Sequence, residues 1–514
     1  MALVKRDRTQ FIYIGKGVLI GLLTGCAVSL FRLLIEQLLR IWSLLYHAVP
    51  AHPFVLFIIL ALCLGIPLLI GLLIQEHPDV MGSGIPQVEG QLTGELEISG
   101  WQVFWRKFLT GVLGIGSGLF LGREGPSIQL GAASAQIFAE KLKEDRSMRR
   151  ILIAGGAAAG LSAAFDAPIA GTLFVLEEIY HSFSPLVWMV ALSSAISADF
   201  VSSSLFGLQP VLHITVASSY PLTDYWQLLL LGILLGLGGI LYQRVLLNMP
   251  RLYAKLPKLP RAYHGLIPFL LVIPIGLLWT NTLGGGNGLI LSLGHSVPAL
   301  SILLGLLLLR FVFSMISYGS GLPGGIFLPI LSLGALLGAI YGRVLVELNM
   351  LPSGLLANLI VFAMAGYFAG ISKAPFTAII LITEMVGSLA HLLPLAVVSL
   401  TAYLIVDLLG GAPIYQSLLE RMTKKGTATL TTNDVDRVEV PVFAGSQLTL
   451  RQVRDIKWPE NSLLVSIRRG EKMIIPHGDT LIHSGDHLIL MVEAIQRPRV
   501  FTLLKQMNTP SMTD

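Results

Sequence analysis

Arg123 and Glu124 stand side by side in "GREGPSIQLGA" (122–132), between the apolar stretch "FLTGVLGIGSGLFL" and a run of small residues. A carboxylate in such surroundings is costly unless it is stabilised or does a job. Two other stretches share its grammar, "MGSGIPQVEG" (81–90) and "GGIFLP" (324–329). Each places Gly just before a helical segment, with Pro close behind. Gly leaves the backbone uncovered, and Pro suits a first helical turn. The first N–H groups of a helix lack partners and carry the positive end of its dipole. Several such ends meeting at mid-membrane make an anion site without a lysine, whose full charge would hold the anion too tightly to release it. One motif alone is as readily a plain Gly/Pro helix break. Three in one chain favour the anion site.

The elements that carry these motifs are membrane helices. Of 514 residues, 54% are hydrophobic and 13% charged, about half the charged share of a soluble domain. Helix-length apolar segments lie near 13–45, 54–74, 103–121, 150–164, 186–206, 226–248, 263–281, 298–317, 355–371 and 389–409. Others fall short of the ~20 residues needed to span and are cut by "GSGIP", "GREGP", "FDAPIAG", "GLPGGIFLP" and "ISKAPF". Broken helices at membrane depth are tolerated only around a protein-lined cavity. The basic "MALVKRDR" start precedes a run interrupted by Arg32 and Glu36, with no A-x-A site, so no signal peptide is expected. Cys26 and Cys63 are too few for a disulfide framework or metal cluster, and the eleven histidines show no metal-binding spacing.

Lys and Arg collect at the N-terminus, at 140–150, at 251–261 and at 421–426. By the positive-inside rule these loops and both termini face the cytoplasm. Glu124 then lies at the helix end away from it. The chain also repeats itself. Gly122, Pro126 and Leu130-Gly131-Ala132 match Gly325, Pro329 and Leu333-Gly334-Ala335. Ala167-Pro168 and Glu177 match Ala374-Pro375 and Glu384. Two matches in one order predict duplicated halves, about 12–250 and 262–424, joined by the basic loop. Transporter repeats are often inverted, and an inverted pair is expected. The fold class is thus an all-α polytopic membrane protein with broken helices and an internal repeat, followed by a small α+β cytoplasmic domain. After the linker 425–436, residues 437–514 alternate apolar and polar positions, with turns at His477, His483 and His487.

"GSGIP", "GREGP" and "GGIFLP", with "AAAGLSAAFDAPIAGTLFVLEE" (157–178) and Tyr415 in "GGAPIYQSLLERM", resemble in order and spacing the signatures of the CLC family of chloride channels and chloride/proton antiporters, bacterial type. The likeness runs from about residue 15 to 424, making 1–424 the transmembrane domain. It implies that Ser83 and Tyr415 give hydroxyls to a central anion, and that the N–H groups of Ile326 and Phe327 complete the site. It makes Glu124 a gate whose carboxylate competes with chloride, and Glu178 the inner proton acceptor. Glu178 as a plain helix cap is the alternative. Glu177 is expected to be structural, Arg123 to support the local fold or face a polar vestibule, and Glu89 and Lys107 to pair inside the membrane. Implied partners are chloride, protons, the lipid membrane and a second copy in a homodimer, with no nucleic acid, metal or cofactor. The implied activity is chloride/proton exchange in the cell membrane; a passive chloride channel of the same fold is the runner-up. A potassium-linked subunit is disfavoured by the lack of a TVGYG-like filter, and an enzyme by the lack of a nucleophile or metal set. The tail resembles the RCK (TrkA-C) lobe of potassium transport systems. In that family the lobe dimerises and binds small ligands, sometimes cyclic dinucleotides.

Overall fold

The computed structural model describes residues 9–181, 183–214, 216, 220–256, 259–423, 435–443, 445–470, 472–493 and 496–508. Most of the expected linker, 425–436, lies outside them. The chain divides into two units. The larger comprises residues 1–89, 98–143 and 151–421, and the smaller comprises residues 90–97, 144–150 and 422–514.

The larger unit is helical throughout. Nine helices among the described residues are long and apolar enough to cross a membrane, from Phe11–Ala48 to Leu389–Leu408. Their exposed faces carry Leu, Ile and Phe, the pattern of a surface solvated by lipid. Two segments read as apolar and helix-length become Gly100–Gly116, only 17 residues long, and Arg146–Phe165, with charges in its first turn. Phe327–Glu347 is long enough to span although it begins at a Gly/Pro break. Its window is 67% buried within the protein, and that of Ser353–Ser372 is 89% buried. These two helices pack on each other through small residues: a methyl group at Gly338 would meet the Leu359 carbonyl at 2.6 Å.

The repeat is visible as reciprocal contacts. The Gly122 N–H donates to the Gly325 carbonyl at 2.7 Å, and the Gly325 N–H donates back to Gly122 at 2.6 Å. The two segments run antiparallel there. Further along, Glu177 accepts from the N–H groups of Phe376 (3.2 Å) and Thr377 (2.7 Å), and from the Thr377 hydroxyl (2.7 Å). Its counterpart Glu384 accepts from Ile169 (3.1 Å) and Ala170 (2.7 Å). When residue i meets j and the equivalent of j meets the equivalent of i, the halves are related by a two-fold axis.

The smaller unit holds a four-stranded antiparallel sheet in the order β1-β4-β2-β3. Its strands are β1 Val435–Pro441, β2 Ser462–Arg469, β3 Lys472–Ile474 and β4 His487–Glu493. Val438, Ile467, Leu488, Leu490 and Leu504 of the following helix, Arg497–Met507, close its core. Asp486 anchors the turn into β4, accepting from the Arg469 guanidinium at 2.8 Å and the His483 N–H at 2.8 Å.

Candidate functional site

Three Gly-rich turns are stitched together by backbone hydrogen bonds. The Gly82 N–H donates to Gly321 at 3.3 Å, and the Gly324 N–H donates to Gly82 at 3.0 Å. The Gly122–Gly325 pair adds the third seam. Gly82 and Gly84 have φ of +62° and +95°, a region that suits Gly. The turn is held from behind by Lys107, which is fully buried and donates to the carbonyls of Val80 (3.0 Å) and Gly82 (2.8 Å). The expected Glu89–Lys107 pair is therefore corrected. The ammonium is taken up by carbonyls that the loop turns inward, and Glu89 faces His181 at 3.6 Å.

These seams bring the expected residues to one place. Ser83 is 1% exposed, and its hydroxyl has no hydrogen-bond partner. A methyl group at Gly125 would sit 2.3 Å from that hydroxyl, so only Gly lets helix Glu124–Lys141 start against Ser83. Glu124 opens that helix, is fully buried, and neither of its carboxylate oxygens has a hydrogen-bond partner. The carboxylate folds over Gly122, where a methyl group would meet Oε2 at 2.3 Å. The Leu328 N–H lies beside the same spot and faces it. Ile326 is the N-cap of helix Phe327–Glu347 and Phe327 its first residue. A carboxyl group therefore already rests at a junction of two helix N-termini, where dipole and N–H groups favour its ionised form.

Aromatic rings wall the site. Phe327 packs on Phe368 (4.3 Å between centroids), Phe165 (5.2 Å) and Phe174 (5.8 Å), and Phe174 meets Tyr415 edge-on at 6.1 Å. Tyr415 is fully buried with its hydroxyl unpartnered, and Glu124, Glu178, Tyr242 and Tyr318 are its electrostatic neighbours. Glu178 sits in a single π-helical turn, Val175–Ile179, and is 4% exposed. Such turns interrupt a helix at a cost and are frequent at functional sites. Glu177, in the same turn, caps a helix of the other half.

On the Arg123 side of Glu124 lies a cavity of about 280 Å³, lined among others by Glu36, Arg40, Leu121, Arg123, Asn287 and Leu328. Arg123 lines it and also bonds Glu36 at 2.7 Å; Glu36 in turn takes Arg32 at 3.3 Å, and Arg32 pairs with Asp166 at 3.0 Å. Sequence reading missed this chain, and it missed Tyr242, Tyr318 and the buried Arg310. Of these, Arg32, Glu36, Tyr242, Tyr318 and Arg310 lie outside the Gly/Pro motifs, and residues scattered over separate helices leave no spacing signal.

With fold and site in view, the comparisons agree on one class. Residues 66–407 match the model of the voltage gated chloride channel family, and the chain belongs to that family. Residues 437–502 match the TrkA-C domain. Among its relatives is the H(+)/Cl(-) exchange transporter ClcA of Vibrio parahaemolyticus, 33% identical over 436 residues, 82% of this chain and 92% of the relative. The same transporter of Vibrio campbellii is 37% identical over 68% of this chain and 75% of its own length. The crystal structure of a slow cyanobacterial Cl-/H+ antiporter superposes with a TM-score of 0.76 at 31% identity, covering 80% of this chain and 98% of that one. The chain is thus a multi-pass membrane transport protein of this family, and not an enzyme.

Proposed function

We propose that this protein exchanges chloride for protons across the cell membrane, working as a homodimer with both termini in the cytoplasm. Ser83, Tyr415 and the N–H groups of Ile326 and Phe327 hold the anion. Glu124 is the outer gate: ionised, it occupies the helix N-termini that chloride needs; protonated, it leaves them. Glu178 receives protons from the cytoplasmic side and passes them toward Glu124, so the two ions share the path only at the gate. No cofactor enters this reaction, and the TrkA-C-like lobe is a regulatory module that takes a small ligand.

What carries the reading is the fully buried Glu124 carboxylate lying at two helix N-termini, faced by backbone N–H groups and bonded by no side chain. Such a group is held by dipole and N–H proximity, and it can be removed at little cost. The test is proton uphill movement driven by a chloride gradient in liposomes. The native protein pumps protons, and Glu124→Gln passes chloride without moving them. Chloride flux with no proton movement in the native protein would identify a channel instead. Proton pumping by Glu124→Gln would remove Glu124 from the proton path.

A further inference from the structure

Tyr318 ends helix Leu300–Gly319, just ahead of the Gly321–Gly325 turn. Its ring lies over Gly82: a methyl group there would come 3.5 Å from the phenol oxygen. The backbone N–H of Ser83 faces that oxygen, and Tyr415 and Tyr242 lie within its electrostatic reach. Beside it, the hydroxyls of Ser83 and Tyr415 are 1% and 0% exposed, and neither has a partner.

Hydroxyls left without partners in a buried place cost about 1–3 kcal/mol each. The Ser83 and Tyr415 hydroxyls, buried and short of partners, mark the place where the ligand is the acceptor. A phenol oxygen faced by the Ser83 N–H keeps its own proton free to donate. We propose that the Tyr318 hydroxyl donates a hydrogen bond to the transported anion on the Ser83 side of the site, and that it helps select chloride over larger, weakly hydrogen-bonding anions. This rests on the exchange reading above. It adds a residue that the Gly/Pro motifs do not contain. The discrimination follows from chemistry: a phenol rewards a small, strongly accepting halide more than a diffuse anion such as thiocyanate.

Tyr318→Phe removes one oxygen and keeps the ring. Calorimetric titration with chloride and with thiocyanate, run on the purified full-length protein, compares it with the native chain. Chloride Kd rises about fivefold to tenfold, while thiocyanate Kd changes far less. In a Ser83→Ala background, Tyr318→Phe weakens chloride further, because it removes a separate donor. Should Tyr318→Phe not fold, Tyr318→His, which retains a ring N–H donor, is measured in its place and keeps the preference for chloride over thiocyanate. Equal chloride affinity in Tyr318→Phe and the native chain overturns the inference, as does an equal loss for both anions. An effect that vanishes in the Ser83→Ala background also overturns it, since Tyr318 would then only position Ser83. Loss of the chloride preference in Tyr318→His counts against it in the same way. Failure of the exchange reading looks different: the native protein itself then moves no protons when a chloride gradient is imposed in liposomes.

Discussion

Glu177 and Glu178 are neighbours in sequence with different surroundings, and that difference can be measured. Glu177 accepts three hydrogen bonds, two from N–H groups and one from a hydroxyl in the first turn of helix Pro375–Val386. Glu177→Gln keeps one acceptor oxygen and loses the charge. The loss comprises a dipole contribution of about 0.3–1 kcal/mol and at least one charge-assisted hydrogen bond of about 1.5–3 kcal/mol, so about 2–4 kcal/mol in all. In a helical unit of this size that lowers Tm by roughly 2–5 °C. The two-fold relation makes a second demand: Glu384→Gln, which removes the reciprocal cap on Ile169 and Ala170, falls by a similar amount. Thermal unfolding in detergent, followed by gel filtration of the fraction still folded, reads both variants. Proton coupling, measured on the survivors in liposomes, is retained in each. Unchanged Tm in both variants, or lost coupling at unchanged Tm in Glu177→Gln, would refute the capping argument and return Glu177 to the proton path.

Glu178→Gln gives the opposite pattern: chloride flux retained, and proton movement stopped in paired flux measurements. Coupling that survives would leave Glu178 as a structural residue. In the C-terminal lobe, burial would raise the Asp486 carboxyl, but the Arg469 guanidinium and the His483 N–H outweigh it and hold it below the ordinary carboxylate range. A carboxylate held lower in the folded state stabilises it above the unfolded pKa, and that contribution disappears as pH falls through the folded value. Unfolding of the lobe, followed by the fluorescence of its Trp458 in an otherwise Trp-free full-length chain, is therefore easier as pH drops below about 4. Asp486→Asn removes most of that dependence.

How much of this was legible beforehand depended on whether the information was local. Helix starts at Glu124 and Phe327 were readable because Gly and Pro act within a few residues. The duplicated half was readable because Gly122, Pro126, Ala167 and Glu177 each have a counterpart at nearly one offset. The meaning of that offset was not readable. Glu177 could be set aside as structural, but its acceptance from Phe376 and Thr377 needs two halves folded back on each other. Lys107 shows the limit most plainly. Paired by charge and proximity in sequence, Glu89 was its natural partner. Yet the Gly82 turn has positive φ and points two carbonyls inward, and an ammonium can be satisfied by carbonyls as well as by a carboxylate.

The fate of the cations explains why the site can bind an anion and still let it go. Lys107 bonds the carbonyl of Gly82, the residue before Ser83, and Arg123 directly precedes Glu124. Either could have pointed into the site as a bare charge. At an effective dielectric of about 20, a unit charge 4 Å from an anion attracts it by about 4 kcal/mol, a roughly thousandfold slower release. The fold directs both elsewhere: the ammonium to the carbonyls of Val80 and Gly82, and the guanidinium to Glu36. What faces the proposed anion position is a set of N–H and O–H dipoles, each worth a fraction of a charge, together with the carboxylate proposed as the gate. The field of the two cations still biases the region toward negative ions, through groups that do not touch them. An anion that meets only dipoles can be displaced by one carboxylate, and a carboxylate that meets only dipoles can be displaced by one anion. That near-equality is the physical requirement for exchange.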